Sequence, residues 1–513
     1  MIEARVTYRV DRRAFDGLMR AECRKRMRAT VEALVGESRR IVPVRTGNLK
    51  SSLTAEVSSD GLTGWYGSNR PWRGEASVHY ACVAPPFPIL TAEGAKDVSQ
   101  VTEEDALCTP FGFRRPAMSF SKPWNGEVVR IELRGFPFAL RLTPDHVLPV
   151  VPSFPCPFER SYVYLCRPNC KYHRCNRHLS CERSASLGLT WKSASALSLT
   201  DYLVFPIWKG EDVRPIVLSW GWTSKNPIRN YHREFLVVPD EDLAWLAGLY
   251  VAEGSFSGQH YTRLSMHRKE REYLERAYAV AAKSFRARLN GIRSLGNCLT
   301  YVLCSRPLRL FLSFFGQGAA RKRVPPFVFA WPSELRRSFL RGYFLGDGTV
   351  SASEVKATTV SLSLALGLLT LASLEGVRPN LHRATMPRGG TVMIGGRAHR
   401  ITPRHQPWTV AFSRLKAAAL GLEPAQLERR LEELRMGDYI LLPIRRLSYE
   451  AYRGPVFDVA FRGADRLEHA FVLGPILSSN CFVEFGTRRM EPRPYLRPPL
   501  VTMRGEVQRI WSG

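Results

Sequence analysis

Three residues set far apart in the chain could together cut a polypeptide out of itself: Cys82 in H-Y-A-C, and Asn480 and Cys481 in G-P-I-L-S-S-N-C. The thiol of Cys82 can attack the carbonyl of Ala81 and turn an amide into a thioester, a far better acyl donor. The thiol of Cys481 can take that acyl group. The Asn480 side chain can cyclise onto its own carbonyl and release everything from Cys82 to Asn480. The Cys82 nitrogen must be protonated to leave, so an imidazole should sit on it.

A second set of residues points to phosphodiester chemistry. The apolar segments L-A-G-L-Y-V-A-E-G and L-R-G-Y-F-L-G-D-G begin at Leu246 and Leu340, 94 residues apart, a spacing that suggests tandem duplication. Each follows a helix-start signal, Pro239-Asp-Glu-Asp and Trp331-Pro-Ser-Glu. The small residues Ala247, Gly248 and Gly342 would let the two helices pack backbone to backbone. That brings Glu253 and Asp347 together at one end of the pair. Two such carboxylates in a basic groove would bind Mg²⁺, which activates water and stabilises a phosphodiester transition state. The stretches 286–294 and Arg321-Lys-Arg-Val-Pro-Pro are basic, with aromatics nearby, and suit phosphate contact.

A third set, Cys156, Cys166, Cys170, Cys175 and Cys181 with His173 and His178, holds enough donors for one tetrahedral Zn²⁺. The favoured ligands are Cys166, Cys170, Cys175 and Cys181. The spacing is irregular, and a basic loop with free thiols accounts for the cluster equally well.

The elements that must position these groups follow from pattern. A chain of 513 residues should form two to four domains. Alternating β-branched runs at 127–150, 191–206 and 455–480 read as strands, and those at 82–101 as further short ones. They lie at both ends of the segment 82–480 and must fold together around what lies between. Ser361 to Leu374 reads as a buried helix, 267–278 as a charged one, and 11–41 as an amphipathic basic one.

Net charge is +28, of which the stretch 82–480 carries +19 and the flanks +9. That balance favours a polyanionic partner, most plausibly nucleic acid. No apolar run is long enough to span a membrane. The first residues lack a signal peptide's apolar core, and eleven cysteines, an odd number, do not read as a disulfide framework. The sequence-based expectation is a cytoplasmic protein of a bacterial host cell, with reduced thiols.

In this order Cys82, T-P-D-H (Thr143 to His146), V-F-D-V (456–459) and the Asn480–Cys481 junction resemble an intein. The resemblance implies an all-β Hedgehog/intein splicing fold. It makes His146 the acid for the first step, with Thr143 holding the scissile peptide. Asp458 would coordinate the steps and His469 would assist Asn480, joining Ala81 to Cys481 without a cofactor. The residue before Asn480 is Ser479, where the family usually has His, which bears on the rate of that step.

The paired motifs resemble those of LAGLIDADG homing endonucleases. That implies an α/β domain of pseudo-twofold symmetry and a double-stranded DNA substrate, the uninterrupted host gene. Lys322 matches a family lysine near the active site. Glu253 stands where Asp is usual, so a splicing element with a non-cleaving, DNA-binding domain is the alternative.

The flanks, joined as 114 residues, contain I-V-P-V-R-T-G-N-L and Y-A-C-F-V-E-F-G-T-R-R-M-E-P-R-P-Y-L-R-P-P-L. They resemble tailed-phage head–tail connector and minor tail proteins. The implied host is α+β, assembles with itself and other neck or tail proteins, and ends in the virion. The expected organisation is host 1–81, splicing region 82–206 with the cysteine module at 156–181, endonuclease 207–435, splicing region 436–480 and host 481–513.

Overall fold

The strand Tyr439–Ala460 joins the two ends of the β-rich part. Its first residues pair antiparallel with Asp201–Pro206, from Tyr439 opposite Pro206 to Pro443 opposite Tyr202. The remainder pairs with Met118–Leu133, from Ile444 opposite Leu133 to Ala460 opposite Met118. Burial explains the strands. Val128, Val129, Ile131 and Leu133 are buried, whereas the Lys122–Glu127 end is largely exposed. The sheet runs Thr190–Ser193, Val147–Pro152, Asp201–Pro206, Tyr439–Ala460, Met118–Leu133, Leu140–Leu142. A smaller sheet orders Gly94–Asp97, Pro88–Thr91, Leu107–Thr109 and Gly112–Arg114, and the hairpin Phe471–Leu473/Ile476–Ser478 follows the long strand.

This computed structural model describes residues 6–7, 17–41, 53–57, 63–68, 82–152, 154–155, 162–163, 188–208, 210, 213–225, 228–386, 389–394, 397–401, 404–422, 435–461, 466–478 and 503–512. The region 127–150 holds the end of Met118–Leu133, then Leu140–Leu142 after a turn at Gly135, φ 66°, and Val147–Pro152 after the T-P-D-H turn. Likewise 191–206 divides into Thr190–Ser193 and Asp201–Pro206 around a short turn at Ala194–Ala196.

Between Pro206 and Arg435 lie two units of one topology. Each begins with a motif helix, Glu241–Glu253 or Ser333–Asp347. Four antiparallel strands follow, ordered Gly254–Ser257, Tyr261–His267, Cys298–Cys304, Arg288–Leu295 in the first unit. The second orders Gly348–Val350, Glu354–Thr359, Trp408–Ser413, Asn380–Arg383. In each unit a helix, Arg271–Phe285 or Leu362–Leu374, joins the second and third strands in chain order. Leu362–Leu374 is buried along most of its length, matching its uninterrupted apolar sequence. Asp240 caps the first motif helix, its carboxylate accepting from the Leu243 N–H at 2.8 Å. The second has Pro332 at that position and no side-chain cap, and the Ser333 hydroxyl donates instead to Glu375.

The helix Gly17–Ile41 packs on the strand pair Leu53–Val57/Thr63–Ser68, and positions 11–16 of the expected helix lie outside the described residues. The helix Arg504–Ser512 rests on it from the other end of the chain. Among the described residues no helix is long and apolar enough to cross a membrane.

Candidate active sites

Cys82 is fully buried at the edge of the β-rich part. Its backbone N–H donates to Thr143 Oγ1 at 3.1 Å, and its carbonyl accepts the Thr143 N–H at 3.0 Å. One residue on, Val83 exchanges both backbone hydrogen bonds with Phe457, at 2.8 and 2.9 Å. The start of the segment is thus threaded between the T-P-D-H turn and the V-F-D-V strand. His146 is held in the turn by its N–H to Thr143 O at 3.0 Å. Its Nε2 lies 2.7 Å from Ser478 Oγ, two residues before Asn480.

Electrostatics at this site favour neutral groups. Burial pushes the Cys82 thiol up to about 12, opposed by Lys122 and reinforced by Asp458 and Asp145. Burial also raises the Asp458 carboxyl well above the usual range. Its Oδ1 accepts the Val459 N–H at 2.8 Å, and its Oδ2 has no hydrogen-bond partner among the described residues. His469 is fully buried just ahead of the final hairpin. Asn480, Cys481, Ser479 and Ala81 lie outside the described residues, as do Cys156, Cys166, Cys170, Cys175, Cys181, His173 and His178.

The second site lies where the two motif helices end. A Cβ at Gly248 would fall 2.0 Å from Phe339 O, and one at Gly342 would fall 2.1 Å from Trp245 O. The helices therefore touch backbone to backbone, as only glycine allows. A Cβ at Gly346 would meet the Glu253 side chain at 2.8 Å, which puts Glu253 against the second helix just ahead of Asp347. Burial and the charge of Asp347 push Glu253 up to about 7. Burial pushes Asp347 up to about 6, against the Tyr343 hydroxyl and Lys322. Both carboxylates also stand at helix C-termini, where the backbone dipole disfavours negative charge.

Lys322 is buried beside them. Its ammonium donates to the carbonyls of Tyr250 at 2.7 Å and Gly254 at 3.0 Å, and lies 3.4 Å from the centre of the Tyr250 ring. Burial lowers it to about 7, against the pull of Asp347. The structure thus brings Glu253, Asp347 and Lys322 together. Oxygen donors strained by burial and by each other fit a hard divalent cation, which would relieve both. Among the described residues no third His, Cys, Asp or Glu groups with them, so backbone carbonyls and water would complete its shell. Such a cation would supply an ionised water and neutralise charge on a phosphodiester.

Some groups gave no signal in the motifs. Tyr343 stands four positions before Asp347, and its contact with that carboxylate follows from helical spacing. The hairpin Ile216–Lys225/Ile228–Val237 lies outside every motif. Trp222 and Tyr231 stack on it at 4.9 Å, with the Arg233 guanidinium 5.3 Å from the Trp222 ring. The alternation in I-V-L-S-W-G-W and the Asn-Pro turn were the available cues.

Residues 334–404 match the model of a LAGLIDADG-like domain, and this part of the chain has that α/β fold. Among curated proteins, the chain is 26% identical over 428 residues to the ATP-dependent DNA helicase Hel308 of Thermococcus kodakarensis, covering 76% of this chain and 36% of the helicase. A DNA polymerase of the same organism is 32% identical over 151 residues, 28% of this chain and 9% of the polymerase. An uncharacterised protein of Methanocaldococcus jannaschii is 25% identical over 426 residues, 78% of this chain and 50% of that protein. The chain thus spans half or less of the length of these relatives. Among solved structures, I-DmoI in complex with DNA and Mn is similar at 11% identity and TM-score 0.26, over 37% of this chain and 98% of that one.

Proposed function

We propose that residues 82–480 splice themselves out of the chain and carry a DNA endonuclease of the LAGLIDADG type. The observation that carries the splicing reading is the convergence at the β-rich part. Cys82 is bonded to Thr143, and the hairpin leading to Asn480 reaches His146. Cys82 and Ser478 thereby both meet the T-P-D-H turn, whose groups acyl transfer would use. In this reading Cys82 attacks the carbonyl of Ala81, and His146 protonates the departing nitrogen. Cys481 takes the acyl group, and Asn480 cyclises with help from His469. Asp458, whose carboxyl burial holds well above the usual range, would coordinate the steps.

The relatives support the same view. A helicase and a DNA polymerase share a segment with this chain although their named activities differ, as expected of an inserted element. The host would be the joined flanks, a phage neck or tail protein. Contacts between the helices at 17–41 and 504–512 support one folding unit made from both ends. The endonuclease would use Glu253 and Asp347 to hold Mg²⁺ and Lys322 to steady charge at the cleaved phosphate, on double-stranded DNA.

The deciding test is intact mass after bacterial expression, beside Cys82→Ala and Asn480→Ala variants. Products of 399 and 114 residues, absent from the double variant, are expected. A stable 513-residue chain would sink the splicing reading.

A further inference from the structure

Cys82 packs with Ala84 and Val456, and Phe120, Trp124 and Tyr452 close around them. Phe120, Lys122 and Trp124 alternate along one strand, opposite Asp458, Val456 and Gly454 on its partner. Alternate residues of an antiparallel pair share a face with their direct partners. Lys122 therefore stands on the face that covers Cys82, between two of its aromatic walls and one step from Asp458. Its ammonium lies 5.0 Å from the Trp124 ring centre. Both residues line an open cavity of about 710 Å³, as does Arg453.

We propose that Lys122 supplies the positive charge for the N-terminal acyl shift, stabilising the Cys82 sulfur as it loses its proton. This rests on the splicing reading. In the step, the Sγ–H proton leaves and Sγ bonds to the carbonyl carbon preceding Cys82, the π pair moving to oxygen. Collapse restores the carbonyl and breaks the C–N bond. The Cys82 nitrogen leaves as an amine bearing one added proton, equal to the one Sγ gave up. The step is an isomerisation and needs no co-reactant.

The need for a cation follows from the surroundings. The thiol is buried, and Asp458 and Asp145 both disfavour a thiolate there. His146, from the same turn as Asp145, serves the proton that the nitrogen needs, so a standing charge beside the sulfur has to come from another group. Lys122 opposes the carboxyl groups from the sheet face, and Arg453 lines the same cavity. An opposite charge within a few ångströms is worth roughly 1–3 pKa units.

The test uses the full chain with Asn480→Ala, which blocks release of the insert and lets the thioester be trapped by dithiothreitol. Release of the 81-residue N-terminal fragment is followed against pH, with Lys122 intact or changed to Met, Gln or Arg. Met and Gln should slow release about tenfold or more at neutral pH and move the profile up by about one unit or more. Arg should restore both. Asn480 cleavage in a Cys82→Ala background reports whether each variant folds. Unchanged rates in Met and Gln, or slow release with an unmoved profile, would overturn the inference. Loss of both cleavages in every variant, Arg included, would assign Lys122 to folding alone. If the Lys122 chain itself releases nothing, the splicing reading fails and this inference with it.

Discussion

At the scale of single residues, burial raises the acids of both sites, and the carboxylate pair lands near neutral pH. That pair sets a pH signature. Glu253 and Asp347, raised to about 7 and about 6, bind more protons folded than unfolded above pH ~4. Stability should therefore fall as pH rises from about 4 to 7. Lys322, lowered to about 7, binds fewer protons folded than unfolded up to its ordinary value, so stability should rise again from about 7 to 10. Metal-free protein locked by Cys82→Ala and Asn480→Ala should show this dip near pH 7 in thermal melting. Millimolar Mg²⁺ should lift it by binding only the folded, ionised pair. A melting temperature that responds to neither pH nor Mg²⁺ would mean that the carboxylates are only structural. Asp347→Asn should remove the Mg²⁺ response and lower DNA cleavage by about a hundredfold or more. Restoring the shorter side chain with Glu253→Asp should leave cleavage equal or faster. Equal cleavage by wild type and Asp347→Asn would exclude this pair as the active site.

At the scale of elements, the contact between Glu241–Glu253 and Ser333–Asp347 decides whether that site exists. Gly248→Ala and Gly342→Ala would each drive a methyl into a facing carbonyl, at 2.0 and 2.1 Å. Each should cost about 1–3 kcal/mol in denaturant unfolding and separate the carboxylates enough to abolish cleavage. Tolerance of both changes would mean that the helices do not touch as described. This contact was legible in the sequence because apolar runs punctuated by Gly at Gly248 and Gly342 permit one close packing. The strand content around T-P-D-H was legible for a similar reason: period-two apolar residues between turn residues. The register was not legible. Nothing in E-V-V-R-I-E-L says that its partner lies more than 300 residues later at Ile444–Ala451, because pairing is set by tertiary contact. Lys122 was hidden for that reason. Its neighbours Ser121, Pro123 and Trp124 gave no motif, and only its pairing opposite Val456 sets it on the face that covers Cys82. Lys322 was legible through resemblance, whereas its burial over Tyr250 depends on an approach across 72 positions.

At the scale of the whole molecule, the ends of the chain meet before any bond is rearranged. Arg26 donates from its guanidinium to Trp511 O at 2.8 Å, and Trp511 Nε1 donates to Thr30 Oγ1 at 3.0 Å. Thr30 is fully buried on the helix Gly17–Ile41. A docked pair of flanks would keep the N-terminal fragment beside Cys481 after the first bond to it has become a labile thioester. In the proposed reaction, splicing would compete there with hydrolysis, which separates the flanks. Trp511→Ala removes the indole and its hydrogen bond, and an ordinary hydrogen bond contributes about 0.5–1.5 kcal/mol. With the packing lost as well, a loss of about 1–2 kcal/mol is expected, or roughly a 5–30-fold drop in the docked population. The ratio of the joined 114-residue product to separate flanks of 81 and 33 residues, read by intact mass, should fall by several fold in Trp511→Ala. Release of the insert should continue at its usual rate, because Cys82, His146 and Asn480 are untouched. An unchanged ratio would mean that the flanks find each other only after ligation, and that their contact in the precursor plays no part in bringing the ends together.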